Sequence, residues 1–436
     1  MGSIPTRTLS VRGLAASQAG CAAAVWNIMP DIWDPKFNLD GYVNLGAAEN
    51  ALMHDTLNQF MRNTFSPSNA TLTYGDGMTG TKRLKTAMTQ FLNRHLKPFR
   101  PLHPSHIKIT NGCSSAIEHL VWALADPGDA ILLGQPFYGT FATDIELRFG
   151  AKLLKVPFYN VDPLGMEGVA AYEKVILESR ANGVNAAALL LCNPHNPLGR
   201  CYPRSVIIQL MQLCEKYQIH FVSDEIYALS VWENKVDEDE PVPFESALSI
   251  DTTGIIEPSR VHVIWGISKD FGANGLRLGS LISQSNPSLH GAMLTVGLYS
   301  TPSLVSDQLT AAILEDQEWS DSYIAENRRR IAEQYIAVTA WAKEHKIPYA
   351  PGTNAAFFIW LNLGAYFRAL HPEVCQKDIQ DVITKELLKH KVYIASGKDY
   401  GSEEVGWYRI VFTYKTPYLS EGLRRIIRAL QGYGIK

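Results

Sequence analysis

This sequence predicts an α/β fold: a large domain on a mainly parallel sheet with helices on both faces, plus a smaller α+β domain. Short apolar runs bounded by turn residues recur at 130–133, 187–192, 219–222 and 261–264, and their length suits strands. Between them lie longer stretches with helical spacing, among them 81–96, 114–125 and 206–217. The runs are apolar throughout instead of alternating, which requires cover on both faces and marks parallel strands.

Taken in order, the chain up to about residue 40 reads as an irregular arm over a body, with Pro30 and Pro35 flanking Trp33. Alternation of helix and strand settles in near Leu84, with 107–110 strand-like. In 114–125, Ile117, Leu120, Val121 and Leu124 share one helical face. The alternation stops around 285–302. An amphipathic stretch, 319–345, with Arg328-Arg-Arg330 on its wet face, then bridges to a second domain holding 355–360, a helix over 379–390, and 408–412. The earliest residues are expected to join that domain, because chain ends often lie close together. Residues 234–243, rich in acids, read as a surface loop. The expected division is 1–80, arm and part of the small domain; 81–315, large domain; 316–436, small domain.

A chain of 436 residues with 46% apolar and 19% charged residues has the composition of a globular protein with a sizeable core. Its net charge of -3 and lack of a Lys/Arg block argue against nucleic-acid and membrane surfaces. Cys21, Cys113, Cys192, Cys201, Cys214 and Cys375 form no CxxC pair, which suggests free thiols in a reducing compartment. No stretch reaches transmembrane length. The start lacks a secretory pattern, and Met1-Gly2 fits an acylation pattern only loosely, with Pro5 against it. The cytoplasm is the expected location.

The most informative position is Lys269, in Trp265-Gly-Ile-Ser-Lys-Asp-Phe-Gly-Ala-Asn-Gly-Leu-Arg277, just after an apolar strand. Upstream lie Asn196, in Asn193-Pro-His-Asn-Pro-Leu-Gly199, and Asp224 and Tyr227, in Ser223-Asp-Glu-Ile-Tyr227. Together these are the parts that hold pyridoxal phosphate on a lysine: a buried amine, a carboxylate for the ring nitrogen, and neutral donors for the ring oxygen. Each also has a plainer reading. Asp224 would serve equally as a helix N-cap, Asn196 as a turn former, and Tyr227 as a half-buried core residue. Strand ends in this order favour the cofactor.

A phosphate needs amides at a helix start and a cation. Asn111-Gly-Cys-Ser-Ser115 lies between a strand and a helix, so Ser114 and Ser115 suit the anion, and Arg277 supplies charge. The plainer readings are capping by Ser114 and a surface ion pair for Arg277. Tyr138, just past the strand at 130–133, could stack on the ring or belong to the core. Gly75-Asp-Gly-Met-Thr-Gly80 spells a dinucleotide fingerprint, but no acid lies between Asp76 and Glu118 to hold a ribose. Its glycines instead suggest close approach to a neighbouring chain or ligand. Arg409, flanked by apolar strand residues, is costly to bury unpaired. Its partner is a substrate carboxylate or an internal acid.

From about Val43 onward the chain resembles fold-type I pyridoxal-phosphate enzymes of the class I/II aminotransferase superfamily. In detail it resembles the 1-aminocyclopropane-1-carboxylate (ACC) synthase-like branch. The bearing motifs are Leu45-Gly-Ala-Ala-Glu-Asn50, 193–199, 223–227, 268–272 and 407–412. The resemblance implies Lys269 as Schiff-base lysine and α-proton base, and Asp224 on the ring nitrogen. It places Asn196 and Tyr227 on the ring oxygen, Tyr138 over the ring, and Ser114, Ser115 and Arg277 on the phosphate. It also implies Arg409 and Glu49 at the substrate, and Tyr74 lent to the phosphate of a partner subunit in a homodimer. Two positions depart from the pattern: Gly266 stands where many relatives have a phosphate-binding serine, and Ala47 where leucine is common. The expected activity is that of a lyase on S-adenosylmethionine, which loses its α-proton and then methylthioadenosine from its γ-carbon. An aminotransferase, or a β/γ-eliminating or γ-replacing enzyme on another amino acid, needs the same residues. A non-catalytic protein of the same fold is the third reading, and the intact residue set opposes it. No metal is expected.

Overall fold

The computed structural model describes residues 8–238 and 240–434. The acylation pattern at the start and the terminal Ile435-Lys436 lie outside the described residues. In chain order the strands are β1 (Val43–Asn44), β2 (Ile107–Thr110), β3 (Ala130–Gly134), β4 (Lys152–Val156), β5 (Ala186–Cys192) and β6 (His220–Asp224). They continue as β7 (Val261–Gly266), β8 (Gly279–Ile282), β9 (Phe358–Asn362), β10 (Val392–Tyr393), β11 (Ala395–Ser396) and β12 (Trp407–Val411).

A 7-stranded sheet has the order β2-β8-β7-β6-β5-β3-β4. Only β8 runs against its neighbours β2 and β7; the other pairs are parallel. The continuous apolar runs serve both faces. Leu132, Leu189, Leu191, Phe221, Val263 and Ile282 join one core, while Ile131, Leu133, Leu190, Val222, Ile264 and Leu281 join another on the opposite face. Each such side chain contributes about 1.5–3 kcal/mol on full burial. The fold is therefore the expected α/β class.

A 3-stranded antiparallel sheet, β11-β12-β9, and the parallel pair β1-β10 lie over a further core. Helix Gln317–Glu344 joins the two regions. Its Tyr323 and Ile324 pack into the large-sheet core, and its Ile331, Tyr335 and Val338 into the second. Val43 and Leu45 pack there too.

Two local expectations need correction. The early residues are not irregular: helices span Val11–Ala22 and Ala24–Ile28. Ser10 caps the first by accepting the Gly13 amide at 3.1 Å. This segment is rich in alanine, which favours helix without an apolar stripe to betray it. The arginine triplet is not uniformly wet. Arg328 donates to the Leu229 carbonyl at 2.7 Å and Arg330 to that of Leu52 at 2.7 Å; Arg329 alone of the three is exposed. The acidic segment is the expected surface loop, and Asp237 anchors it by accepting from Tyr335 Oη at 2.7 Å, Tyr349 Oη at 3.0 Å, Asn234 Nδ2 at 2.8 Å and the Gly352 amide at 3.1 Å. Within its own chain, the Gly75–Gly80 turn packs closely on β2. A Cβ on Gly80, at φ +93, would collide with Ile109 of β2. Carboxylates already occupy the start of the following helix: Asp307 accepts the Thr81 amide at 3.0 Å, and Asp76 that of Lys82 at 2.8 Å.

Candidate active site

The chain runs from β3 outward to β4, then returns to β5 on the other side of β3. Loops after β3 and β5 therefore leave in opposite directions, and a crevice opens at their carboxyl ends. Tyr138 follows β3, Asn196 follows β5, Asp224 ends β6, Lys269 follows β7, and Ser114 follows β2. A cavity of about 160 Å³ brings these together; Ser114, Tyr138, Asn196, Asp224, Tyr227, Lys269 and Arg277 all line it. Glu49 and Ser115 do not line it, and the Ser115 hydroxyl turns back to the Asn111 carbonyl at 3.1 Å. Tyr74 is 81% exposed and lines no part of it.

Lys269 sits on a single helical turn, Ile267–Asp270. Its Nζ donates to the Ala48 carbonyl at 2.6 Å. Burial, reinforced by the charge of Arg409, lowers the amine to about 8, so a neutral nucleophilic form is accessible near neutral pH. Asp224 is 4% exposed and accepts the Ile226 amide at 3.2 Å. Burial raises its carboxyl to about 7 against the pull of that amide and of Lys269. Only a turn, not a helix, follows Asp224, so the N-cap reading fails, and one amide does not satisfy a buried carboxylate. The Tyr227 phenol is held far above its usual range by burial, so it stays a neutral donor.

At the cavity's other end, helix Cys113–Leu124 begins after Gly112, with no side chain capping it. Ser114 is therefore not the cap. Gly112 has φ 79, and a Cβ there would strike the Arg277 guanidinium, so glycine is what lets this arginine lie over the helix start. Arg277 is exposed, and its Nη1 donates to the Asn274 carbonyl at 3.0 Å. The described residues show no surface ion pair for it. Gly266 has no room for the relatives' serine: a Cβ would lie 2.7 Å from the Leu278 carbonyl and 3.0 Å from Cys113 Sγ.

Arg409, 1% exposed, stands behind Asn196. Its Nη1 donates to Asn196 Oδ1 at 2.9 Å and its Nη2 to the Gly46 carbonyl at 2.6 Å, while its buried Nε has no partner. Phe358 and Tyr400 flank the guanidinium, with centroids at 4.9 and 5.0 Å. Among the described residues no acid pairs with it, which removes the internal salt bridge as an alternative. The strap from Gly46 to Glu49 runs from this arginine to the lysine. The Gly46 carbonyl takes Arg409, Ala47 takes Tyr414 Oη at 3.0 Å, Ala48 takes Lys269 and Asn274 Nδ2, and Glu49 takes Thr413 Oγ1 at 2.9 Å.

The residue reading missed Asn274, whose Nδ2 meets Ala48 at 3.0 Å and whose buried Oδ1 has no partner. It also missed Cys113 and Cys192 in the cavity wall. Nothing local marks these residues: Asn274 lies in a glycine turn where asparagine is ordinary.

A buried carboxylate short of donors at one end, an unpaired arginine over a helix start at the other, and a lysine of lowered basicity between them fit pyridoxal phosphate. Asp224 could face its ring nitrogen and Arg277 its phosphate, with Lys269 at its aldehyde carbon. Fold and cavity thus define a pyridoxal-phosphate-dependent enzyme of fold type I. Residues 34–426 match the model of the aminotransferase class I and II family, and the chain belongs to that family, in its ACC synthase-like branch. It is 32% identical to the probable aminotransferase gliI of Aspergillus fumigatus, over 88% of each chain. It is 30% identical to the 1-aminocyclopropane-1-carboxylate synthase-like protein 1 of Takifugu rubripes, over 90% of this chain and 62% of that one. Among solved structures, an aspartate aminotransferase from Thermus thermophilus with maleate superposes with a TM-score of 0.72 at 18% identity, covering 97% of this chain and 100% of that one. No helix of the described residues is long and apolar enough to cross a membrane.

Proposed function

We propose that the chain acts on an amino acid whose carboxylate is held by Arg409 and whose α-proton is taken by Lys269, with S-adenosylmethionine as substrate. The observation that carries this reading is the buried Lys269 amine, lowered to about 8, in one cavity wall with Asp224 and backed by Arg409 through Asn196. Pyridoxal phosphate, when bound, supplies an aldehyde carbon for the amine and a ring that withdraws electrons from the α-carbon. Asp224 keeps the ring nitrogen protonated. Asn196 and Tyr227 would donate toward the ring oxygen, Tyr138 would flank the ring, and Ser114 and Arg277 would hold the phosphate, with Ser115 offering only its main-chain amide because its hydroxyl is spent on Asn111. The Arg409 fork fixes the substrate carboxylate, leaving the α-proton within reach of Lys269. Its neutral amine takes that proton. The electron pair left on the α-carbon attacks the γ-carbon and closes the three-membered ring, and methylthioadenosine leaves with the electrons of the broken C–S bond. Glu49 lies beside the substrate.

A second reading, aminotransfer, has its own support: the fungal relative named a probable aminotransferase is covered nearly end to end. There the cofactor, when bound, would keep the amino group: Lys269 would move the α-proton, and water would supply the oxygen of the released keto acid.

We further infer a cytoplasmic homodimer, with units 1–80, 81–315 and 316–436 as an arm with part of the small domain, a large domain and a small domain. Exposed apolar residues near the 69–80 loop, Leu72 at 84%, Tyr74 at 81% and Tyr299 at 77%, support a second copy covering this face. Tyr74 would then reach the partner's phosphate end.

Mass spectrometry of products from the pyridoxal-phosphate-loaded protein tests the assignment. S-adenosylmethionine should yield methylthioadenosine and ACC. Keto-acid release from other amino acids without methylthioadenosine would replace the lyase by the aminotransferase.

A further inference from the structure

The turn bearing Lys269 is too short to hold itself. A helix of 4 residues closes little more than one hydrogen-bonded ring, so its orientation must come from outside. Asp270, 1% exposed, supplies much of it. Its Oδ1 accepts the Ser230 hydroxyl at 2.7 Å; its Oδ2 accepts the Leu229 amide at 3.1 Å and Trp265 Nε1 at 3.0 Å. Leu229 and Ser230 belong to the turn that begins at Asp224 and carries Tyr227, and Trp265 belongs to β7 just before the lysine. One carboxylate therefore ties the lysine turn, the tyrosine turn and the strand that precedes Lys269.

A second tether runs through the main chain. The Asp270 carbonyl accepts Asn327 Nδ2 at 3.3 Å, and Asn327 Oδ1 accepts Asn50 Nδ2 at 2.8 Å. The strap next to Ala48 is thereby linked to the same turn. Asp270 does not line the cavity.

We propose that Asp270 is a positioning residue, whose carboxylate sets the Lys269 amine in register with the Tyr227 phenol and the Asp224 carboxylate. This rests on the roles proposed above for those three residues. The register matters because a misplacement of about 1 Å at a reacting group costs about 100-fold in rate.

The test uses pyridoxal-phosphate-loaded Asp270→Ala, Asp270→Asn, Ser230→Ala and Lys269→Ala proteins. Turnover, KM and the pH midpoint of the visible cofactor band are measured for each. In Asp270→Ala the kcat should fall about 100-fold with KM for the amino acid little changed. The band midpoint should move to higher pH, since a displaced Tyr227 no longer favours the ring oxyanion. Asparagine should restore much of both. Its Oδ1 can accept Leu229 and Trp265, and its Nδ2 can donate to Ser230, whose hydroxyl turns to accept. Ser230→Ala should shift the midpoint in the same direction by less. Wild-type kcat and midpoint in a folded Asp270→Ala protein would overturn the proposal. Should that variant not fold, an unmoved midpoint and kcat in Ser230→Ala would overturn it. A Lys269→Ala protein that keeps its turnover would instead sink the reading of the lysine.

Discussion

Two carboxylates in this molecule meet opposite fates. In the loop at 234–243, Asp237 is surrounded by two phenols, an amide side chain and a backbone N–H. Burial pushes it up, but those bonds outweigh burial and hold its carboxyl below the usual range. At the end of β6, Asp224 has the Ile226 amide, and burial carries it to about 7. A carboxylate whose lone pairs are filled is a rivet. One left short of donors costs the protein stability, and Asp224 is the one of the two that lines the cavity. Depth of burial counts as well as donors, since Asp270 has three donors and is still raised to about 7.

The contrast can be broken most sharply at the lysine. Replacing Lys269 by alanine should lower turnover by about 10,000-fold or more, with the urea unfolding midpoint of the cofactor-free protein unchanged or raised. A large stability loss would mean that Lys269 is structural after all. Next comes the pair itself. Asp224→Asn should cost about 100-fold or more in kcat without destabilising the cofactor-free chain. Asp237→Asn should do the reverse, losing about 1–3 kcal/mol in urea unfolding while kcat holds. Equal effects from both would erase the distinction.

A smaller effect, and the one that sharpens the comparison, lies in pH dependence. Asp224 is raised from 3.8 to about 7, so the folded chain keeps a proton that the unfolded chain releases. Stability should therefore fall as pH rises between those values, and Asp224→Asn should flatten that slope. Asp237 is lowered, so its contribution is present above 3.8 and lost as pH falls further. Unfolding curves of the two variants against pH should diverge in opposite senses.

Much of the large-sheet region was legible in advance because strands buried on both faces announce themselves as unbroken apolar runs; β2 coincides with its run, and β7 extends past its own by only two residues. The cavity residues were legible for a related reason: they stand at the carboxyl ends of those runs, where chemistry collects. The early helices were not, since alanine-rich helix without a stripe looks like arm. Nor were Asp237 and Arg328, where a charge in the sequence implies water until a partner distant in sequence appears. Asn274 and Asp270 are hidden for the same reason: their value lies in contacts to Ala48, Leu229 and Ser230 that no local spacing reports.

The strap from Gly46 to Glu49 presents its backbone, not its side chains, to Arg409, Tyr414, Lys269 and Thr413. A scan of side-chain replacements would therefore score Ala47 and Ala48 as tolerant and pass over the segment that spans Arg409 and Lys269. Exchanging a peptide link there for an ester, a weaker acceptor of the same shape, would expose its weight.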